Sequence, residues 1–374
     1  MAIVRRFLLI VAATACSSLG AACGSRSSLD LSWGEDAATA DVSVPPLGKD
    51  GALDSAVTSD ASAPTETPPS CQAGGPGLTN CGAVSESCCT SLEVTGETYY
   101  RTYANDGGGP TDEADPATVS GFRLDKYLVT VERFRQYVNY VTSSIGAPPA
   151  NGSGKHTHLN GGLGLANSAS IGTYETGWDA TDWDTYITTG ASAESSWNMN
   201  LACPIANWTD TAGPPNLPIN CVNWFEAYAF CTWDGGFLPS EAEWEYVAAG
   251  GNQQREYPWG STDPGAVNQY VIEGCLYFYH GSCSMAPVGT ATDGAGLWGQ
   301  LDMVGEVEEW NLDWYASYID PCTNCAYFSP SAARVTRGGN VGNYMPHLLP
   351  PDRGNDVDPT VRDQAIGFRC ARTP

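Results

Sequence analysis

A short helix with a complete capping pattern constrains this chain more than any other sequence feature. Asn223 is a favoured N-cap residue, and Glu226 follows three positions later, where its carboxylate can reach back to the N-cap backbone. The segment Trp224–Trp233 is therefore predicted to be a helix, and it ends where two glycines follow. A helix this short is not stable in water by itself. It must be held by packing against a larger domain.

The same capping pattern recurs immediately downstream. Ser240 and Glu243 have the spacing of a capping box and predict a second helix over residues 241–249. Thr130 is a third N-cap candidate, and the apolar residues of 131–143 keep helical spacing on one face. Three short, capped helices are thus expected.

Strand and loop patterns fill the segments between these helices. Residues 92–103 and 121–128 alternate loosely between apolar and polar side chains, which predicts strands. Residues 146–197 are rich in Gly, Ser, Asn and Thr, which predicts long loops. His156 and His158 lie in this region, and no further metal donors are visible nearby in the sequence. We expect both histidines to lie in a solvated loop.

The N-terminus has the pattern of an export signal. Arg5 and Arg6 precede an apolar stretch that ends in small residues, so residues 1–23 are predicted to be a secretory leader. Cys23 follows small residues, as in a relaxed bacterial lipoprotein processing site, and is predicted to be lipidated. Ordinary cleavage near Ala22 without a lipid is the alternative. The predicted location is the periplasm or the outer membrane.

Composition divides the remainder of the chain. Residues 24–70 are acidic and nearly devoid of aromatics, so they are predicted to be a disordered linker. A cysteine-rich clasp at 71–92 and one domain at 93–374 follow.

The chain has 42 acidic and 17 basic residues and a formal net charge of −25, which repels phosphate backbones and excludes nucleic acid as a partner. A membrane is expected to be reached only through the N-terminal lipid.

Cysteine usage agrees with export. Twelve cysteines follow the leader, an even number that suggests several disulfides of open connectivity. Cys88 and Cys89 are adjacent, so each is expected to have its own partner. Cys322 and Cys325 have C-x-x-C spacing. The sequence shows neither the second C-x-x-C or nearby pair of histidines that a zinc site needs, nor the strand leading into a helix that a thioredoxin-type redox site needs. A structural bridge is predicted there.

Several motifs together resemble one known family. In chain order they are GFRLDKYLVTVERFRQYV, FLPSEAEWEYVAAGG followed by YPWG, GLWGQLDMVGEVEEWNLDWY, RVTRGG and GFRCAR. This order resembles the sulfatase-modifying-factor family, whose founding members are formylglycine-generating enzymes. The resemblance implies an α+β fold related to the C-type lectin fold, with few short helices and strands and much irregular structure.

The resemblance also implies a structural calcium ion. In the family, a turn binds calcium through a side-chain oxygen, two backbone carbonyls and a glutamate. Carried over, these ligands are Asp302, the carbonyls of Gly305 and Val307, and Glu309. Carboxylate and carbonyl oxygens are the ligands that calcium prefers. Glu306 stands where the family has asparagine, and Glu308 stands where it has the first tryptophan of the motif. These two substitutions strengthen the negative field of the turn or indicate a remodelled one.

The catalytic centre of the family is altered in this chain. Formylglycine-generating enzymes hold copper between two cysteine thiolates, and soft thiolates suit Cu(I). The corresponding positions are Asn343 and Leu348, so copper is not expected and no catalytic residue is assigned. The resemblance further implies a disulfide between Cys231 and Cys370.

Two functions follow from these observations, and whether the chain is an enzyme stays open. The first is an exported domain without formylglycine-generating activity, which retains a groove for a peptide, a glycan or a surface protein. The alternative is a metal-dependent oxidoreductase or protein-modifying enzyme of the formylglycine-generating type with altered ligands.

Overall fold

A computed structural model describes residues 66–210, 213–265, 267–275, 277–279, 282–343, 347–353 and 356–374. The predicted leader, the lipidation site at Cys23 and all but the last residues of the predicted linker 24–70 lie outside this part. The described residues belong to one compact unit. Within them, no helix has both the length and the apolar composition that crossing a membrane requires.

Helices in the described residues are short and well capped. They are α1 (Val131–Thr142), α2 (Glu194–Asn200), α3 (Trp224–Trp233) and α4 (Glu241–Ala248), with 3-10 turns at Pro69–Cys71, Asn160–Gly162, Asp184–Tyr186, Gly251–Gln253 and Thr292–Gly294. Both predicted capping boxes are confirmed, since Asn223 and Ser240 each exchange hydrogen bonds with a glutamate three residues on. Helix α2 begins inside the region predicted to be loops, so that prediction was wrong there.

Strands are short as well, in agreement with an α+β fold. They are β1 (Ser91–Val94), β2 (Thr98–Ala104), β3 (Thr111–Thr118), β4 (Phe122–Asp125), β5 (Ala166–Asn167), β6 (Phe278–Tyr279), β7 (Ser282–Cys283), β8 (Glu308–Trp314), β9 (Cys322–Thr323), β10 (Cys325–Ala326), β11 (Arg334–Arg337), β12 (Asp356–Val357), β13 (Ile366–Gly367) and β14 (Ala371–Arg372). The strand order is β12-β11-β8-β13 in the largest sheet, and β1-β4-β14 and β2-β3-β9 in two smaller ones. Pairs β5–β10 and β6–β7 complete the set.

Strand β8 is the centre of the largest sheet. It pairs antiparallel with β11, where Trp310 lies opposite Thr336, and parallel with β13, where Glu308 lies opposite Ile366. Nearly all of its residues are buried, as expected for a strand covered on both faces. Strand β2, in contrast, alternates regularly between buried and exposed residues and covers the core with one face only.

Aromatic side chains fill the core between α1 and α3. Phe134 of α1 stacks on Phe230 of α3 at 5.6 Å between ring centroids, and Phe368 meets both edge-on. A second cluster joins α4 to β2, where Tyr99 and Tyr246 make an edge-to-face contact at 5.2 Å. Such contacts add to the free energy gained by burying the rings. They supply the packing that helices of this length require.

Disulfides fasten the ends of the domain. Cys71 pairs with Cys89, and Cys81 pairs with Cys88, so the adjacent cysteines have separate partners as predicted. The other described bridges are Cys203–Cys221, Cys231–Cys370 and Cys322–Cys325, and Cys275 is also disulfide-bonded. The bridge that the family resemblance implied thus joins α3 to the last residues of the chain.

Candidate functional site

The segment after β11 contains Asn343 and Leu348, the two positions that the family resemblance assigns to the copper-binding cysteines. It begins with a tight turn at Gly339, whose φ is +62° and where a Cβ would lie 2.8 Å from the carbonyl oxygen of His347. Asn343 closes this turn, because its Oδ1 accepts a hydrogen bond from the backbone N–H of Asn340 at 2.8 Å. Leu348 is fully buried in the cluster around α4. The two side chains are a turn-forming amide and an apolar core residue.

A buried ionic network holds this segment against α4. Arg337 Nη2 lies 2.8 Å from Glu245 Oε2, while Arg353 donates to both oxygens of Glu241 at 2.8 and 2.7 Å. Tyr318 donates its hydroxyl to Glu245 at 3.1 Å. The two arginines precede and follow the segment, so each end of it is fixed to the same helix.

Arg337 also fastens the far end of the segment directly. Its Nη1 and Nη2 donate to the carbonyl oxygens of Asp352 and Pro350, both at 2.7 Å. The guanidinium is fully buried and makes five strong donors available in a fixed plane. The backbone around Leu348 is therefore anchored by charge-assisted hydrogen bonds.

A cavity of about 340 Å³ adjoins this segment. Its wall is formed by the β2–β3 hairpin, one residue after α4 and two residues after Leu348: Tyr103, Ala104, Asn105, Asp106, Thr111, Glu256, Leu349 and Pro351. Tyr103 donates its hydroxyl to the carbonyl of Arg255 at 2.8 Å, and Asn105 donates to that of Gln254 at 2.7 Å. These two bonds fix the hairpin across the opening.

The charge of this cavity is negative. Asp106 and Glu256 are the carboxylates of its wall, and the described lining residues include no lysine, arginine or histidine. Its volume is that of a small-ligand site. An acidic wall with a few polar groups favours a ligand that carries a cationic group. No sequence motif predicted this cavity, because hairpin and segment are more than two hundred residues apart.

The turn predicted to bind calcium is buried and acidic. Asp302 Oδ2 accepts the backbone N–H of Gly289 at 2.6 Å, and burial raises the pKa of Asp302 to about 6. Glu306 is 1% exposed, and its Oε1 accepts the N–H of Ala286 at 2.7 Å, whereas its Oε2 has no partner. Burial and the charge of Asp302 raise the pKa of Glu306 far above its usual range. Two buried carboxylates therefore share one site.

Glu309, the other predicted calcium ligand, faces an arginine. Arg369 Nε and Nη2 donate to its two carboxylate oxygens at 2.7 and 2.9 Å, and Nη2 also donates to the carbonyl of Asp302 at 2.8 Å. The turn thus carries three carboxylates and one guanidinium. In the part of the chain that the structure describes, no group of three or more His, Cys, Asp or Glu side chains could hold a metal ion, so the calcium site stays a prediction.

The expectation of a solvated loop for His156 was wrong. His156 is fully buried, with Nδ1 3.0 Å from Glu175 Oε2 and Nε2 3.0 Å from Glu243 Oε2. Burial alone would lower the pKa of His156, but the charges of Glu243 and Glu175 raise it to about 10. His158 is only half-buried and stacks on Phe237. His156 is therefore an imidazolium that joins the loop to α4.

Comparisons with known proteins show the family and the fold of the chain. The family described as "Sulfatase-modifying factor enzyme 1-like domain" matches residues 86–374. The chain is 30% identical over 296 residues to the formylglycine-generating enzyme of Streptomyces coelicolor, covering 74% of this chain and 85% of that protein. It is 27% identical over 303 residues to the inactive C-alpha-formylglycine-generating enzyme 2 of Mus musculus, covering 71% and 79%. The solved structure of PvdO from Pseudomonas aeruginosa shares the fold at a TM-score of 0.50 and 19% identity, covering 80% of this chain and 97% of that one.

Proposed function

The chain belongs to the sulfatase-modifying-factor family, and from this premise we propose that it is an exported binding module that does not generate formylglycine. The observation that carries the proposal is the pair Asn343 and Leu348 at the positions of the copper ligands. An amide that closes a turn and a buried leucine cannot hold Cu(I) as two thiolates do. A family that includes a relative named as inactive makes a non-catalytic member plausible.

The cavity beside Leu349 is the proposed binding site. Its volume suits a small ligand or the side chains of a larger partner, and its carboxylates Asp106 and Glu256 favour a cationic group. The partner would be a peptide, a glycan or a surface protein that presents such a group. Nucleic acid stays excluded by the net charge of −25.

Export is the second part of the proposal. The leader pattern of residues 1–23 and the change in composition at residue 24 support a lipid on Cys23 and an acidic tether over 24–70. The several disulfides of the domain suit an oxidising compartment, the periplasm or the outer membrane. Intact-mass analysis of membrane-extracted protein should find an acylated Cys23, and an unmodified N-terminus would leave secretion by simple cleavage.

A structural calcium ion is the third part. Asp302 and the carbonyls of Gly305 and Val307 would hold it, and Glu309 would be shared between the ion and Arg369. The unpartnered oxygen of Glu306 adds a donor of the right chemistry beside Asp302. The ion would stabilise the turn by compensating its buried negative charge.

The catalytic question is decided by incubating reduced, copper-loaded protein under oxygen with a peptide that carries the sulfatase motif Cys-x-Pro-x-Arg. Mass spectrometry should show no aldehyde on the peptide cysteine, while the Streptomyces coelicolor enzyme serves as the positive control. Turnover above a copper-only control that disappears on mutating Cys322 or Cys325 would overturn the proposal. The alternative, an oxidoreductase with altered ligands, would then hold.

The binding question needs a probe of known charge. Tetralysine should bind the wild type more tightly than the Asp106→Asn, Glu256→Gln double variant by about tenfold, the equivalent of about 1.4 kcal/mol. Glu93→Gln, an exposed carboxylate on β1 outside the cavity, is the matched control and should bind as the wild type does. Equal affinity for all three proteins would refute the cavity as the binding site.

A further inference from the structure

A second cavity lies between α3, strands β8 and β11, and the loop that follows Glu175. Its volume is about 70 Å³. Five of its lining residues are aromatic, and the others include one arginine and one glutamate: Trp183, Trp224, Tyr228, Trp314 and Phe328, with Glu175, Thr176, Gly177, Leu312 and Arg334. A dense aromatic wall around a single guanidinium is an unusual lining for a hydrophobic core.

Arg334 is held flat between two indole rings. Its guanidinium carbon lies 3.6 Å from the ring centroid of Trp224 and 3.7 Å from that of Trp314. Nη1 donates to the carbonyl of Leu312 at 2.6 Å, whereas Nε has no hydrogen-bond partner. The residue is 2% exposed, so its orientation is fixed by the two rings.

No carboxylate forms an ion pair with Arg334 among the residues that the structure describes. Glu175 lines the same cavity, but its oxygens are bound by the ring and backbone nitrogens of His156 and by the N–H of Leu165, at 3.0 to 3.2 Å. The imidazolium of His156 is shared between Glu175 and Glu243, and the oxygens of Glu175 are directed at His156 and Leu165 rather than at Arg334. Glu175 is therefore not an ion-pair partner of the guanidinium.

Asp313 is the other acid near Arg334, and it too is engaged. Its Oδ2 accepts the N–H of Glu241 and its Oδ1 accepts that of Tyr327, both at 2.7 Å. Burial lowers the pKa of Arg334 to about 9, which still leaves it charged at neutral pH. The charge of Asp313 favours the guanidinium of Arg334, but the two groups form no direct ion pair. A buried charge without a counter-ion in contact with it is costly, and a bound anion in contact with Arg334 would reduce that cost.

We propose that this cavity binds a carboxylate group, with the guanidinium of Arg334 as its anion-binding residue. The aromatic wall of Trp183, Trp314 and Phe328 would pack against the apolar part of the same ligand. The planar guanidinium of an arginine can donate two parallel hydrogen bonds to a carboxylate, which the ammonium of a lysine cannot do. The size of the cavity limits the buried part to a few heavy atoms, which a small free acid or the C-terminus of a peptide supplies.

The test uses the full-length protein and three probes: acetate, a dipeptide and the same dipeptide amidated at its C-terminus. Binding is followed through the indole N–H signals in NMR spectra, since three tryptophans, Trp183, Trp224 and Trp314, line the cavity. Acetate is expected to shift these signals. A response to acetate alone identifies free acids as the ligand, and a response to the dipeptide but not to its amide identifies a peptide terminus.

Variants make the assignment specific. Arg334→Met should weaken binding of the responding probe at least tenfold. Arg334→Lys keeps the positive charge but not the planar pair of N–H donors, and should weaken binding several-fold. Arg135→Met is the matched control, because Arg135 also stacks on a tryptophan, Trp208 at 4.2 Å, but outside the cavity. It should bind as the wild type does.

Folding and binding are separated by a melting curve for each variant. If Arg334→Met fails to fold, Arg334→Lys carries the comparison. The proposal is overturned if no probe shifts the indole signals of the wild type, or if Arg334→Lys binds with unchanged affinity. Arg334 would in that case serve only to pack the two tryptophans.

Discussion

His156 Nε2 lies 3.0 Å from Glu243 Oε2, and this contact ties a long loop to the first turn of α4. The same carboxylate oxygen accepts the backbone N–H of Ser240 at 2.9 Å, so it completes the capping box as well. A single buried carboxylate oxygen thereby accepts the hydrogen bond that caps the helix and pairs with the imidazolium. The ion pair depends on the proton of His156, which makes it sensitive to pH.

We expect stability to fall as the pH rises above neutrality. The pKa of His156 is about 10 in the folded protein and about 6.5 in an unfolded chain. Its contribution is therefore fully present below about pH 6.5 and is lost as the pH rises through 10, on the order of a few kcal/mol in total. Urea unfolding at several pH values should show a steeper decline for the wild type than for His156→Gln.

His347 supplies the control for this prediction. Its side chain is 56% exposed, so His347→Gln should keep the wild-type dependence on pH. Tyrosines and lysines also titrate in this range, which is why the difference between variants is the quantity to compare. Identical slopes for wild type and His156→Gln would contradict the buried imidazolium.

The disulfide between Cys231 and Cys370 should carry a large part of the stability. The two residues are 139 positions apart, and closing so long a loop contributes about 4–5 kcal/mol in the chain-entropy model. The double variant to alanine should unfold at clearly lower urea concentration. Removing Cys322–Cys325, which closes a loop of three, is the matched control and should cost less. Non-reducing peptide mapping that finds other partners would refute the pairing.

The sequence predicts best what local chemistry decides. The bounds of α3 agree with prediction, and α4 ends one residue earlier than expected, because N-cap residues and capping boxes are encoded within four positions. Helix α2 was missed since Ala193 offers no side-chain cap. Its helix is stabilised instead by the burial of Trp197, a tertiary contact that no local pattern reveals.

Features that join distant segments could not be predicted in this way. His156 is buried because Glu175 and Glu243 arrive from 19 and 87 residues away. The cavity beside Leu349 needs the β2–β3 hairpin, and the setting of Arg334 needs tryptophans of α3 and β8. The family motifs aligned Asn343 and Leu348 with the copper-ligand positions, but they did not predict that Arg337 anchors this segment.

Calcium should stabilise the domain through the acidic turn. A ligand that binds only the folded state contributes about 2.7 kcal/mol at a hundredfold its dissociation constant. A chelator should therefore lower the melting temperature of the wild type, and Asp302→Asn should abolish this difference. Asp293→Asn, an exposed acid outside the turn, is the control that should respond as the wild type does. A melting temperature that the chelator leaves unchanged would mean that the ion contributes nothing.

Glu309 should behave differently from Asp302. Because Arg369 donates to both of its oxygens, Glu309→Gln removes the negative charge opposite a buried guanidinium and one of the two side-chain acceptors. Breaking a buried pair costs about 3–5 kcal/mol, so this variant should be destabilised with and without calcium. Loss of stability only in the presence of calcium would show instead that the ion, and not Arg369, is the main partner of Glu309.

Restoring the two cysteines should restore copper binding. Arg337 fixes the backbone on both sides of the altered positions, so Asn343→Cys together with Leu348→Cys would place two thiols five residues apart on an anchored segment. Cu(I) is bound by pairs of thiolates, so the double variant should bind one equivalent at least tenfold more tightly than either single variant. Leu348→Ala measures the cost of the cavity alone, about 2–5 kcal/mol for a buried leucine. Competition with a Cu(I) chelator under reducing conditions provides the affinities. If the double variant binds no better than the single ones, the segment holds the two side chains apart, and two cysteines are not enough to build a copper site in this chain.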